Sequence, residues 1–467
     1  MKRYFILFCC SALFALATTS CDDFLDIEPV GKTTPTTVED YNKVLAEAYR
    51  RIPADRGLTS FRTDEFLLVP SPVTDPPAGY TSVYDLQRYG DLWKWNDEAP
   101  QDGTASPQYA NCYLAIFTAN AIIEKEGSIV GSASAVKQLV GEAYMMRAYM
   151  HFVLVNLYAP HYTKCDPATT KGVVLKLDTD SEELLPRSTV QQVYTSILSD
   201  LTEAEKRLNV VSFATGKNYR FTTLSLEAFR SRLYLYMGKW NESFEAAKRV
   251  IEARKLQLGT AQILENLNTS DILPNAYNSV ESIVALEQNL TAAYAKAGRL
   301  SAELRNQYIY EREKEGRKDL RRMKCYTSPS PNLFVVKKGG SIDYRCTFRM
   351  GEVYLNAAEA ACRANDTDTA CVLLLELQKN RFNEKGFTDK DTTVVKLSQD
   401  ELLEEILNER FRELAFEGHR WFDLRRTTQP ELTHVIDGET YTLSAGDSRY
   451  TLRFPQSAIE ANPELLR

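Results

Sequence analysis

The stretch between Ser398 and Arg426 constrains the fold more than any other part of the sequence. It begins with a capping box, because Ser398 is followed three positions later by Glu401. Apolar residues then recur at helical spacing and predict one buried stripe, made of Leu403, Ile406, Leu407, Phe411 and Leu414. Gly418 would end this helix, since glycine adopts the left-handed backbone conformation at little cost.

The residues from Arg420 to Arg426 mix charges with large apolar side chains just beyond the predicted helix. One interpretation is a ligand site. The other is an internal clamp, in which acidic side chains neutralise arginines beneath an aromatic lid. Buried charges must be paired and hydrogen-bonded, which favours the clamp. It would pair Glu409, Glu413, Glu417 and Asp423 with Arg410, Arg420 and Arg425.

The run from Glu409 to Arg426, here called the signature, resembles the C-terminal signature of the SusD/RagB family of outer-membrane nutrient-binding lipoproteins. The resemblance rests on Glu409, Arg410, Glu413, Leu414, Phe416, Glu417, Gly418, Arg420, Trp421, Phe422, Asp423, Leu424 and Arg426. It implies a mainly α fold of degenerate tetratricopeptide helix hairpins, with long irregular insertions and a small β-hairpin component. It also implies that the signature itself is mostly structural.

The N-terminal residues 1–20 have the composition of a signal peptide, with Lys2 and Arg3 ahead of an apolar segment. Small residues precede Cys21 and resemble a lipobox, which predicts lipidation of Cys21 and a membrane anchor. Ordinary cleavage that leaves Cys21 free is the alternative. The run from Cys21 to Pro29 resembles the start of mature family members and implies exposure at the cell surface. We expect residues 21–467 to form one domain.

Composition and motifs argue against several classes of function. The net charge of −7 argues against a nucleic-acid partner. The four histidines form no HExxH motif, and no cysteines occur in CxxC spacing, so we expect no metal and no cofactor. No nucleophile elbow, P-loop or dinucleotide fingerprint is present, so we expect a binding protein and not an enzyme.

Helical periodicity is clear along much of the chain. It predicts helices over 38–52, 110–126, 134–157 and 186–208. It also predicts helix hairpins over 226–251, with a turn at Gly238, and over 350–381, with a break at Asn365. The first hairpin resembles a tetratricopeptide unit. A β-hairpin is predicted near the end, with Glu439–Leu443 and Tyr450–Phe454 as its strands around Gly446.

Two irregular segments interrupt this pattern. Residues 59–109 have no evident helical period and are rich in aromatic residues, and residues 260–340 mix short apolar runs with Asn, Ser, Pro and Gly. Long irregular segments of compact domains are usually functional or disordered, and the aromatic content argues against disorder. We therefore expect both segments to be ligand-binding insertions. The basic cluster from Lys314 to Arg322 is expected to be a solvated loop.

Aromatic faces stack on sugar rings, while amide and charged groups bind sugar hydroxyls, and rigid rings do so at low entropic cost. The predicted ligand contacts are Trp93, Trp95 and Asn96, then Tyr80, Tyr84, Arg88, Tyr89 and Asp91, with Tyr294 from the second insertion. The alternative places Trp93 and Trp95 in the core. The sequence leaves both interpretations open.

The family resemblance implies a surface lipoprotein that captures an oligosaccharide and delivers it to a SusC-like TonB-dependent transporter. One alternative keeps this role and changes the cargo to a peptide or another nutrient. Another is a surface scaffold whose only ligand is the transporter, because tetratricopeptide hairpins commonly bind proteins.

Overall fold

The computed structural model describes residues 34–77, 80–308, 316–330 and 333–466. Helix accounts for 53% of the residues and strand for 8%, so the prediction of a mainly α fold is confirmed. The signal peptide and Cys21 lie outside the described residues, and their assignment stays a prediction.

The helices, numbered along the chain, are α1 (Val38–Arg50), α2 (Asp55–Leu58), α3 (Val83–Trp93), α4 (Tyr109–Glu124), α5 (Ala133–Tyr158), α6 (Val190–Glu205), α7 (Thr223–Tyr236), α8 (Trp240–Leu258), α9 (Ala292–Ala297), α10 (Ala302–Gln307), α11 (Arg321–Lys324), α12 (Met350–Arg363), α13 (Thr367–Lys379), α14 (Glu384–Val394), α15 (Gln399–Glu413), α16 (Arg420–Arg426) and α17 (Gln456–Ala461). The strands are β1 (Phe66–Leu67), β2 (Ser282–Val284), β3 (Arg299–Leu300), β4 (Tyr326–Ser330), β5 (Leu333–Val336), β6 (Phe348–Arg349), β7 (Leu432–Ile436) and β8 (Glu439–Leu443). In the described part they pair antiparallel as β1–β3, β2–β6, β4–β5 and β7–β8.

Stacked helices form the frame of the molecule. Helix α5 packs between α4 and α6, α7 packs on α8, and α12 packs on α8, α13 and α15. The predicted hairpins turn where expected, because Gly238 and Asn365 both have left-handed backbone with φ of 71° and 66°. A continuous apolar core runs through these helices, as expected when each hairpin buries its face against its neighbours.

The signature helix begins as predicted and ends early. Ser398 and Glu401 form the capping box, but α15 ends at Glu413, so the prediction that Gly418 terminates it is wrong. Gly418 has a different role. Its φ is +72°, and a Cβ atom there would lie 2.9 Å from the Cβ of Arg56. Glycine is therefore needed at this position for close approach of α2 to the signature.

Two further predictions need correction. The segment 59–109 contains helix α3, whose first turn is capped by the Ser82 hydroxyl accepting from the Asp85 N–H at 3.1 Å. The helical spacing of its apolar residues is hard to recognise in the sequence, because aromatic residues lie on both faces of this helix.

The final β-hairpin pairs β7 with β8 through a turn at Asp437 and Gly438, both with positive φ, so residues 450–454 are not its second strand.

Helix α15 connects two apolar clusters. Leu402 and Ile406 are buried in the helical frame. Phe411 and Phe416 instead belong to a second cluster, which contains the rings of the first insertion, among them Phe61, Phe66, Tyr89 and Trp93. The signature thus joins the frame to the irregular insertions.

The clamp interpretation of the signature is confirmed, although several partners differ from those predicted. Glu409 and Glu413 pair with Arg321, and Glu417 pairs with Arg349 at 2.7 Å. Arg410 binds Asp423 at 3.2 Å, as predicted. Because Asp319 and Arg321 are buried and paired, the solvated-loop prediction is wrong at these two positions.

The other two clamp arginines bind elsewhere. Arg420 forms a bidentate pair with Asp64, with distances of 2.8 and 2.6 Å. Arg425 donates to the carbonyl oxygens of Asn156 and Ala159. Burial lowers the pKa of Arg425 to about 10. Distant segments of the chain therefore meet at the signature, which explains why its arginines could not be assigned partners from local spacing.

Candidate ligand-binding groove

The two irregular insertions lie side by side in the fold. Strand β1 of the first insertion pairs with β3 of the second, with Phe66 opposite Leu300. The Thr81 hydroxyl donates a hydrogen bond to the carbonyl oxygen of Ala297 at 2.7 Å. The fold therefore brings Tyr294 of the second insertion against Tyr89 of the first, with their ring centroids 5.7 Å apart.

Two predicted contact residues meet in an interior ring cluster. The rings of Tyr89 and Phe61 stack with centroids 4.4 Å apart, and Tyr294 packs edge-on against both at 5.7 Å. Tyr89 is fully buried, while Tyr294 is half-buried. Tyr89 therefore holds the insertions together and has no face free for a ligand, which corrects its predicted role.

Trp93 and Trp95 are both 1% exposed, so the core alternative is correct for these two residues. Their rings enclose the imidazole of His434, which stacks on each at 4.2 Å between centroids. The indole N–H of Trp95 donates to the carbonyl oxygen of Arg62 at 3.0 Å. Trp95 also has φ of 54°, a strained backbone that the surrounding packing must hold in place.

His434 is the residue that the sequence did not identify in this cluster. Its Nδ1 lies 2.7 Å from the carbonyl oxygen of Trp93, and its Nε2 lies 3.1 Å from that of Thr63. Burial lowers the pKa of His434, against the opposing effect of the two carbonyl groups. His434 on β7 thus fixes the tryptophan pair, although it lies 341 positions after Trp93 in the sequence.

An open groove of about 660 Å³ lies beside Trp95. We call it the Asn96 groove. Its lining is mainly polar and includes both charge signs, amides and two aromatic residues: Asp91, Lys94, Trp95, Asn96, Asp97, Glu98, Gln101, Tyr441, Ser448 and Arg449. Volumes of this size are typical of small-molecule sites. The predicted residues Asp91, Trp95 and Asn96 are therefore brought together around one cavity.

Tyr441 supplies the more exposed aromatic side chain of the groove. It lies opposite His434 in the β7–β8 register, so both side chains share one face of the hairpin. His434 enters the tryptophan pair, while the half-buried Tyr441 reaches the groove, where the Lys94 ammonium lies 4.9 Å from its ring centroid. The sequence predicts a strand here, but no local pattern indicates that this strand faces residues 91–101.

Asp91 shapes the rim of the groove. Its carboxylate accepts hydrogen bonds from the Gln101 N–H at 2.6 Å, the Thr104 hydroxyl at 2.8 Å and the Asn96 amide at 3.1 Å. These bonds fold residues 96–104 back along α3. Because its acceptors are engaged and its side chain is buried, Asp91 positions the loop, which corrects its predicted role as a ligand contact.

The remaining predicted residues are exposed. Tyr84 is 68% and Tyr80 is 36% exposed, and Arg88 is exposed on α3. Tyr84, Arg88 and Asp91 are spaced i, i+4 and i+7, so they follow one face of α3 that leads to the Asn96 groove. Tyr80, Tyr84 and Arg88 therefore remain predicted contacts for a ligand that extends beyond the groove.

A buried carboxyl group links the first insertion to the signature and predicts a pH effect. Glu65 accepts the Phe416 N–H at 2.9 Å, and burial raises the pKa of Glu65 to about 7. The folded protein then holds a proton that the unfolded chain releases near pH 4.3. The free energy of unfolding must therefore fall as the pH rises through this interval.

We expect Glu65→Gln to flatten this decline, measured by urea unfolding at pH 5 and pH 8. Asp55 contributes a decline of the same sign, because burial raises its pKa to about 7, so the variant should retain part of the slope. Glu98→Gln, at an exposed position of the groove rim, is the matched control. Equal slopes for wild type and Glu65→Gln would contradict the prediction.

Within the described ranges, neither a metal site nor a membrane span is evident. In the residues that the structure describes, no three His, Cys, Asp or Glu side chains are grouped to hold a metal ion. No helix in the described ranges combines the length and the apolar composition needed to cross a bilayer.

The molecule thus combines a stacked-helix frame with an open polar groove, which is lined by residues 91–101 of the first insertion and by Tyr441, Ser448 and Arg449. The chain belongs to the SusD/RagB family. The family model described as "Starch-binding associating with outer membrane" matches residues 23–235, and the model described as "SusD family" matches residues 289–465.

Individual relatives agree with this assignment. SusD-like protein P38 of Formosa agariphila is 29% identical over 247 residues, which cover 52% of this chain and 44% of P38. SusD-like protein P2 of the same organism is 24% identical over 484 aligned residues, 91% of each chain. The chain thus aligns with less than half of P38 and with nearly all of P2.

Solved structures show the same fold. A SusD superfamily protein from Bacteroides thetaiotaomicron has a TM-score of 0.72 at 22% identity, covering 92% of this chain and 99% of that one. A laminarin-binding SusD-like protein has a TM-score of 0.61 at 20% identity, covering 84% and 92%.

Proposed function

We propose that the protein is a surface-exposed outer-membrane lipoprotein that binds an oligosaccharide in the Asn96 groove and delivers it to a SusC-like TonB-dependent transporter. In this proposal residues 1–20 are removed, Cys21 carries the lipid anchor, and residues 21–467 act as one domain. The observation that carries the proposal is the combination of an aromatic ring, amides and charges of both signs around one open cavity.

The chemistry of the groove suits a sugar. The ring of Tyr441 offers an apolar face for sugar C–H groups, and Lys94 and Arg449 donate to hydroxyl oxygens, while Asp97 and Glu98 accept from hydroxyl groups. Arg449 is held by Asp447 at 2.7 Å, and Asp97 by the buried Arg62 at 2.6 Å. The polar groups are therefore positioned before a ligand arrives, which reduces the entropic cost of binding. The protein binds the oligosaccharide reversibly and transfers it to the transporter, with no covalent step.

Tyr441→Ala tests the groove directly. We expect it to weaken oligosaccharide binding at least tenfold, about 1.4 kcal/mol, because it removes the aromatic surface of the cavity. The measurement is isothermal titration with laminari- and malto-oligosaccharides, chosen because a laminarin-binding protein and a starch-binding family description occur among the matches.

Tyr234→Ala is the matched control. Tyr234 is also a half-buried tyrosine with a lysine ammonium over its ring, that of Lys239 at 6.0 Å, but it lies on α7 away from the groove. Equal loss of binding in both variants would contradict the assignment of the groove. Binding of charged peptides in place of glycans, lost in Tyr441→Ala, would favour the peptide-cargo alternative. Absence of any small ligand, together with binding to the transporter, would favour the scaffold.

A further inference from the structure

A second cavity, of about 570 Å³, lies where the start of the second insertion meets the end of helix α13. We call it the Phe387 cavity. One wall comes from residues between 261 and 268, and the other from residues between 376 and 387. Among the residues that the structure describes, none lines both this cavity and the Asn96 groove. Its volume lies in the range of small-molecule sites, so the cavity is a candidate for a second ligand.

Hydrogen bonds connect the two walls of the cavity. The Leu267 N–H donates to the carbonyl oxygen of Asn380 at 3.1 Å, and the Gln262 side-chain amide donates to Oδ1 of Asn380 at 3.0 Å. The Asn268 side-chain amide donates to the carbonyl oxygen of Phe382, also at 3.0 Å. The cavity therefore has its shape before a ligand arrives, which reduces the entropic cost of binding.

The amides of the insertion wall retain unused hydrogen-bonding groups. A side-chain amide carries two N–H donors and one carbonyl acceptor. Oδ1 of Asn266 accepts from the backbone N–H and from the side-chain amide of Asn268, at 3.0 and 3.2 Å. Within the described ranges, no group accepts from Nδ2 of Asn266, and none donates to the side-chain oxygens of Gln262 and Asn268. Donors and acceptors are thus both available to a ligand.

Phe387 supplies an aromatic face to the cavity. Its side chain is half-buried on α14 and stacks on no other aromatic ring in the described part of the chain. The first turn of this helix is fixed by its cap, because Oδ1 of Asn383 accepts from the Gly386 N–H at 3.0 Å and from the Lys318 N–H at 2.9 Å. The ring is therefore held in place on the cavity wall.

The cavity has no strong excess of one charge sign. The charged side chains among its described lining residues are Glu376, Lys379 and Glu384. Glu376 accepts from the Tyr354 hydroxyl at 2.8 Å and lies 3.8 Å from the Lys255 ammonium. Lys379 and Glu384 are exposed and of opposite sign. The electrostatic field of such a site does not select an ionic ligand, and its amides favour a neutral one.

We propose that the Phe387 cavity is a second carbohydrate site, which binds a neutral oligosaccharide. Sugar hydroxyl groups both donate and accept, as the free amide groups do, and the Phe387 ring can pack against sugar C–H groups. An extended peptide fits less well, because the described walls contain no strand whose edge could pair with it. The class of ligand rests on the proposed function, whereas the position of the site does not depend on the Asn96 groove.

Isothermal titration with laminaritriose and maltotriose tests this proposal. We expect the wild type to bind two sugar molecules per chain, and Phe387→Ala and Tyr441→Ala to bind one each. Phe244→Ala is the matched control, because Phe244 is a half-buried phenylalanine on α8 that lines neither cavity. This control should bind two molecules, like the wild type.

The outcomes separate this proposal from the proposed function. Loss of all binding in Phe387→Ala, with none in Tyr441→Ala, would support the Phe387 cavity and refute the Asn96 groove. Sugar binding that Phe387→Ala leaves unchanged would overturn the second site. Loss of all binding in Tyr441→Ala would also overturn it, as would a wild type that binds neither sugar.

Asn266→Asp keeps the test valid if Phe387→Ala folds poorly. It retains the oxygen that accepts from Asn268 and replaces the free N–H donors with a charged acceptor. In the Tyr441→Ala background, we expect it to weaken the remaining sugar binding about tenfold. Asn42→Asp in the same background is the control, because Asn42 is a half-buried asparagine on α1 whose Oδ1 also accepts a hydrogen bond. Equal affinities of the Asn266→Asp and Asn42→Asp proteins would contradict the second site.

Discussion

Replacing Glu413 with glutamine is expected to destabilise the protein by about 3–5 kcal/mol, the range found when one member of a buried ion pair is removed. One carboxylate oxygen accepts from Arg349 at 2.7 Å and from Arg381 at 2.8 Å, and the other accepts from Arg321 and Arg381 at 2.8 Å. Glutamine keeps the shape but loses the charge, and its amide hydrogens would face guanidinium donors. The measurement is the urea unfolding midpoint at pH 7.

Glu404→Gln is the matched control, because it makes the same substitution at an exposed position of α15 and should behave like the wild type.

Measuring the free energy of unfolding as the pH is lowered gives a second test. Burial raises the pKa of Glu413, but Arg381 and Arg349 outweigh it and hold this pKa well below its usual range. Its stabilising effect is present above pH 4.5 and is lost as the pH falls. A Glu413→Gln variant as stable as Glu404→Gln would refute the clamp as a source of stability.

The clamp residues of the signature do not line the Asn96 groove, but their partners lie on separate parts of the fold. The cations of the clamp come from the second insertion, with Arg321 and Lys338, and from the two ends of a helix hairpin, with Arg349 just before α12 and Arg381 just after α13. Its carboxylates lie on α15 and just beyond it. Charges buried in this way tolerate little displacement, because each loses its partner if the geometry changes. The network therefore fixes the insertions relative to the helical frame.

Local patterns in the sequence predicted the frame well, because helix hairpins depend on nearest-neighbour spacing and on turns such as Gly238 and Asn365. The site was predicted less well for a physical reason. An aromatic side chain in an irregular segment is buried in the core or exposed at the surface depending on which residues the fold places next to it. Trp93 and Trp95 are buried by His434, and Arg420 is neutralised by Asp64, 356 positions away. Local spacing contains no information about such partners. The sequence does name Asn96 and the first insertion as candidate contacts, and both line the Asn96 groove.

Trp93→Ala should destabilise the protein by about 3–5 kcal/mol, the usual cost of truncating a buried tryptophan. Its ring is 1% exposed and stacks on His434, so removing it leaves a cavity at the point where α3 meets β7. Trp93→Phe should recover most of this loss. It keeps an aromatic ring, and the indole N–H has no hydrogen-bond partner among the described residues. Chemical unfolding of the two variants beside the wild type measures both effects.

Tyr84→Ala separates packing from ligand contact. Tyr84 lies on the same helix and is 68% exposed, so its removal should leave the unfolding free energy unchanged, whatever it does to sugar affinity. If Trp93→Ala instead kept wild-type stability and lost affinity, the ring would have to contact the ligand, and its burial against His434 could not describe the binding-competent protein. Loss of stability without loss of affinity in the folded fraction would establish the opposite: the tryptophan pair supports the Asn96 groove from beneath, and the ligand binds to the polar side chains above it.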